Sequence, residues 1–149
     1  MTPIMSRAVA ADLVRSARVR AGAAWADLAD KVGAPVVWTT SALLGQHPMT
    51  AEQAAAACKL LDLGGDVAEA LQGQPTRGVD PAVLRDPTIY RFQEALMVYG
   101  PALKELVHEE FGDGIMSAIN FKIDFGRRED PGGDRVVVTL DGKFLDYQW

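Results

Sequence analysis

A chain of 149 residues, 48% hydrophobic and 23% charged, is long and apolar enough for one ordinary domain or two small ones, and its composition is not that of a disordered protein. Its net charge of −5 argues against nucleic acid or an acidic membrane as a partner of the surface as a whole, because both select basic proteins. No apolar run reaches the roughly 20 residues of a membrane span, the opening MTPIMSRAVAADLVRSARVR lacks the apolar core of a signal peptide, and the lone Cys58 cannot form an intrachain disulfide, so a cytoplasmic protein is expected.

Val9, Leu13 and Ala17 mark a first helix, on which Arg7, Arg15, Arg18 and Arg20 are expected to form a solvated face or a subunit contact. Trp25, Leu28, Ala29 and Val32 follow at helical spacing for a second, which Gly33 ends. Pro35 opens a third, carrying Val36, Val37, Thr40, Leu43 and Leu44. Thr50 and Gln53 form a capping box for a fourth, which runs through Leu61 and holds Cys58 as a buried thiol in AAAACKLL. A weaker fifth helix covers Asp66 to Leu71.

Residues 1–75 therefore read as a helical bundle. Two short helices around a Gly-containing turn resemble a helix-turn-helix, which makes a DNA-binding regulator the alternative reading. Its difficulty is electrostatic: from Ala34 to His47 there is no Lys or Arg to meet phosphate.

GQPTRGVDPAVLRDP is the linker to a second domain, 76–149. There Asp86 is placed to cap a helix, Pro87 to occupy its first position, and Ile89, Phe92, Leu96 and Tyr99 to form an apolar face. Arg91 and Glu94, three apart, share another face. They read either as a surface ion pair or, since Ala95 and Val98 flank them and make the helix nearly apolar all round, as a buried pair whose Arg needs an acid or an anion beside it.

FGDGIMSAIN predicts a helix end, a tight turn and a short new helix carrying Ser117, whose hydroxyl serves either a local backbone bond or a function. NFKIDF and RVVVTL predict two strands across the polar loop GRREDPGGD, with Phe121, Ile123 and Phe125 on one face. The fold class expected is α+β, mainly α. A two-stranded hairpin with two helices is marginal alone, so this unit is expected to pair with a copy of itself. His47 and His108 lack the spacing of metal ligands and read as solvated; no phosphate-binding glycine loop is present, so neither a metal nor a cofactor is expected.

DPTIYRFQE, VYGPALKELVHEEFGDGIMSAINFK and VTLDGKFL together resemble the cyanase family, and DLADKVG and SALLGQ extend the likeness loosely into the first half. The chain departs from the family pattern at Gln93, at Met116 and in the closing DYQW. The helix-turn-helix-like N-terminal bundle and the C-terminal dimerisation unit are read from the residues; the resemblance implies a homodecamer of five dimers with active sites at subunit interfaces. It also implies bicarbonate-dependent conversion of cyanate to carbamate and carbon dioxide, with bicarbonate as co-substrate, and places the catalytic Arg, Glu and Ser on Arg91, Glu94 and Ser117. On that basis Arg91 is expected to hold the anions, Ser117 to donate a hydrogen bond to developing charge, and Glu94 to orient Arg91 or relay a proton.

Overall fold

Side-chain caps and left-handed glycines mark several helix ends in the N-terminal half of the computed structural model, which describes residues 4–149. Met1 to Pro3, part of the opening stretch read for a leader, lie outside the described residues. Ser6 Oγ accepts from the Val9 N–H to start α1 (Arg7–Ala21), and Gly22, at φ 63°, closes it. α2 (Trp25–Val32) ends on Gly33 at φ 76°, and α3 (Val36–Leu43) follows Pro35. α4 (Ala51–Leu61) opens on the expected capping box: Thr50 Oγ1 accepts from Gln53 N–H at 3.1 Å and Gln53 Oε1 from Thr50 N–H at 3.0 Å. α5 covers Gly65–Gln72.

These helices pack around Val14, Leu28, Leu43 and Leu71, with Cys58 in the same core, where burial pushes its thiol pKa up. α1 does not present the stripe predicted for it. Val9 is exposed and Leu13 only partly buried; the buried stripe is Ala10, Ala11, Val14 and Ala17. Small side chains at those positions let α1 lie close against α4 and α5.

The arginines of α1 also differ from a uniformly solvated face. Arg7 is half-buried and donates to the carbonyls of Ala42, His47 and Ala70, near the C-terminal ends of α3 and α5, where a cation meets the negative end of the helix dipole. Arg18 donates to the Ala23 carbonyl and lies over the Trp25 ring, 4.8 Å from its centroid. His47 is likewise not freely solvated but stacks on Trp38, with ring centroids 5.8 Å apart.

His47 yields a pH prediction. Burial, and then repulsion from Arg77 and Arg7, lower its pKa below the ordinary imidazole value. The unfolded chain therefore takes up a proton that the folded chain resists, so stability is complete above about pH 6.5 and declines as pH falls through that value. Thermal unfolding should occur at lower temperature at pH 5 than at pH 7.5, and His47→Gln should flatten that slope. An unchanged slope in the variant would remove His47 from the account.

The chain divides into two compact units, one comprising the chain up to Gly78 with Ile123–Thr139, the other Val79–Lys122 with Leu140–Trp149. The segment read as a linker is partly structured: Gln46 bonds in both directions to Gly78, and Pro81–Arg85 forms a 3₁₀ helix. α6 (Pro87–Phe111) starts as expected, Asp86 Oδ1 accepting from Thr88 and Ile89 N–H, and runs on through Pro101. The two expected strands are longer than predicted, β1 (Gly114–Arg128) and β2 (Arg135–Asp146), and form a two-stranded antiparallel sheet. Their turn uses DPGGD: Asp130 Oδ1 accepts from Gly132 N–H and Gly133 sits at φ 125°. Among the described residues the architecture is thus mainly helical α+β.

Candidate active site

The Asp86 cap and Pro87 fix the first turn of α6, and Arg91 follows one turn later. Glu94, three residues on, lies beside it: Arg91 Nη1 donates to Glu94 Oε2 at 2.6 Å. Arg91 also stands 5.8 Å from the centroid of the Tyr90 ring. Within one chain the pair is exposed, the Arg91 side chain at 71% and that of Glu94 at 47%. Exposed pairs of this kind contribute roughly 0.2–1 kcal/mol to stability.

Of the two readings of the pair, a single chain shows the surface ion pair. α6 buries no residue within its own chain; Leu96, Met97, Val98, Tyr99 and Leu106 all stand open. A helix apolar on several faces needs neighbours on several faces, and a single chain with one two-stranded sheet does not supply them. Arg91 and Glu94 stand on a stretch of α6 whose exposed neighbours include Tyr90, Phe92, Leu96 and Val98, while the far end of the helix exposes Lys104, Glu105, Glu109 and Glu110.

Ser117 lies on β1, and the predicted short helix is absent. Gly112, at φ 92°, ends α6, and two residues later the chain enters extended structure directly. The site is sheltered: Ser117 is 5% exposed. Its Oγ accepts from Ile119 N–H at 3.0 Å and from Asn120 N–H at 2.9 Å, so the local backbone bonding considered for this residue is present. Those two bonds occupy the acceptor capacity of the hydroxyl and leave its proton for donation. The structure thus brings Arg91 and Glu94 together, while Ser117 keeps backbone partners in its own strand; neither Arg91 nor Glu94 is among them.

Around Ser117 the two strands approach closely. A Cβ on Gly114 would collide with the Leu145 carbonyl and the Phe144 ring, and one on Gly142 with Met116 and the Ser117 carbonyl. Phe144 stacks on Phe111, centroids 5.1 Å apart, and Tyr147 N–H donates to the Asp113 carbonyl at 3.1 Å. Sequence reasoning missed Gly142, although a glycine inside a strand pattern, as in VTLDGKFL, is a sign of close backbone approach. His108 Nε2 lies 3.3 Å from Lys104 Nζ. Among the described residues no group of three or more His, Cys, Asp or Glu converges as a metal-ligand set.

Comparison with known proteins matches both halves of the chain. Residues 7–75 fit the family described as cyanate hydratase, N-terminal, and residues 81–149 the cyanate lyase C-terminal domain. A cyanate hydratase from Mycolicibacterium vanbaalenii is 55% identical over 146 residues, covering 97% of this chain and 95% of that protein. One from Thiobacillus denitrificans is 50% identical over 145 residues, 97% of this chain and 99% of the other. The crystal structure of cyanase from T. urticae superposes with a TM-score of 0.83 at 39% identity, covering 91% of this chain and 96% of that one. The DNA-binding alternative finds no support among these relatives.

Proposed function

This chain belongs to the cyanate hydratase family of lyases, and from that premise we propose that it decomposes cyanate with bicarbonate as co-substrate, giving carbamate and carbon dioxide. Carbamate then decomposes to ammonia and further carbon dioxide. The observation that carries the residue assignment is the Arg91–Glu94 pair, an Arg and a Glu held at 2.6 Å on α6 beside exposed apolar side chains such as Phe92 and Leu96.

Cyanate and bicarbonate are both anions, and their approach costs Coulomb energy that grows as water is excluded. The net charge of −5 repels them further, so a local cation must gather them. Arg91 has one guanidinium N–H on Glu94 and most of its planar fork of donors left for anionic oxygens. Bicarbonate oxygen attacks the cyanate carbon, nitrogen takes up a proton, and loss of carbon dioxide leaves carbamate. Glu94 orients Arg91 or relays that proton. Ser117, its lone pairs engaged by Ile119 and Asn120 N–H, turns its remaining capacity, the hydroxyl proton, toward the developing charge. Arg91, Glu94 and Ser117 are the catalytic residues on this reading. A cytoplasmic setting belongs to the same proposal; no helix among the described residues is long and apolar enough to cross a membrane.

Assay of the purified protein for cyanate consumption with and without bicarbonate tests the reaction. Consumption that depends on bicarbonate is expected; none, or none of the dependence, would overturn it.

Self-association completes the proposal. α6 leaves Leu96, Met97, Val98, Tyr99 and Leu106 open within one chain, and one Arg91 per chain faces two anions. A symmetric interface meets both needs by pairing copies of α6, and the family resemblance implies five such dimers in a decamer. Sedimentation should show an assembly and activity should follow it. Mixing inactive Arg91 and Ser117 variants should restore some turnover where a site draws the two residues from different chains. A fully active monomer would sink the shared-site arrangement.

A further inference from the structure

Gly142 on β2 occupies a place that no side chain fits. A Cβ built there would fall well inside van der Waals distance of the Ser117 carbonyl oxygen and of Met116 Cγ, with Met116 Sδ at 3.1 Å. A thioether can swing aside. The carbonyl is backbone, so its strand would have to move. The requirement is one of space rather than conformation: Gly142 is not among the glycines of positive φ. Gly126 on β1 is the contrast, since a Cβ there meets nothing within 4 Å.

The hydroxyl of Ser117 cannot stay behind if its peptide shifts. Its Oγ is tethered to Ile119 and Asn120 N–H at 3.0 and 2.9 Å, so oxygen and strand move together. We infer that Gly142 is a positioning residue for the reaction: its missing side chain lets β2 close onto the Ser117 peptide under the cover of Met116, and so sets where the Ser117 proton points. The inference rests on the reading of Ser117 as the donor to developing charge.

Steady-state kinetics on assembled enzyme test it with Gly142→Ala, Gly126→Ala, Ser117→Ala and the Gly142→Ala/Ser117→Ala double variant. Gly142→Ala should lower kcat by about 10- to 10²-fold, the scale of a misplacement of about 1 Å. KM for cyanate and bicarbonate should hold, because Arg91 still gathers the anions. Gly126→Ala should match the unaltered protein. Because Gly142 acts through Ser117, adding its substitution to Ser117→Ala should cost nothing more. Normal kcat in Gly142→Ala overturns the inference, as does a double variant that loses the full Gly142→Ala factor again. Failure of Gly142→Ala to assemble while Gly126→Ala does would also overturn it, making Gly142 a glycine of the fold alone. Normal turnover by Ser117→Ala is a separate result: it defeats the catalytic reading of Ser117 itself.

Discussion

Arg91→Lys should lower kcat by about 10²–10³-fold, the usual cost of losing a preorganised donor at developing charge. The substitution keeps the positive charge and can keep the partnership with Glu94, which now rests on one contact of 2.6 Å. What it removes is the planar fork. A guanidinium holds Glu94 with one N–H and presents others, fixed in the same plane, to the oxygens of bound anions; an ammonium is a compact point charge on a flexible stem. A general field effect would survive the exchange, and a bidentate contact would not. Arg91 is exposed within its own chain, so the fold of the monomer should not depend on it. Circular dichroism and sedimentation should accordingly match the unaltered protein while turnover collapses. Near-normal kcat in a folded, assembled Lys variant would reduce Arg91 to a source of field.

Ser117→Ala should lose activity on a similar scale, about 10²–10³-fold in kcat. Two consequences of this substitution have to be separated, because the hydroxyl both accepts and donates. Loss of the acceptor frees the Ile119 and Asn120 N–H groups, which belong to exposed residues where water can replace the hydroxyl, so the cost to stability is small. Loss of the donor removes stabilisation from the reacting centre alone. Melting temperature reads the first and turnover per folded enzyme reads the second. The expected result is a modest fall in melting temperature with a large fall in kcat. A variant that melts earlier yet turns over normally would leave Ser117 as a local backbone acceptor and nothing more.

The parts of this molecule legible from sequence are those written in three or four consecutive residues. Thr50 and Gln53 cap α4 with their own side chains, Asp86 and Pro87 start α6, and Gly33 ends α2, because each of these signals acts on a backbone within one helical turn. The Arg91–Glu94 contact belongs with them, being set by the helical repeat. Family membership was legible for a different reason: YRFQE and FGDGIMSAINF are long enough strings to identify a relative without any knowledge of shape.

What failed were inferences that turned on which neighbour a helix face would meet. Val9 and Leu13 looked like the inner face of α1, yet the closeness of α4 and α5 selects the alanine stripe beside them. Arg7 looked solvated until the carbonyls of α3 and α5, distant in sequence, were placed around it.

By itself the sequence determined the family, the helix boundaries set by local caps, and the Arg91–Glu94 pair, because covalent spacing and the helical period leave those no freedom. Tertiary structure alone decided that Ser117 is a strand residue, that β2 closes on it at Gly142, and that α6 meets its own chain too sparingly to bury a single side chain. Each of these depends on surfaces brought together from far along the chain, where the choice between helix and strand, or between inside and outside, is made by packing rather than by any residue's own preference.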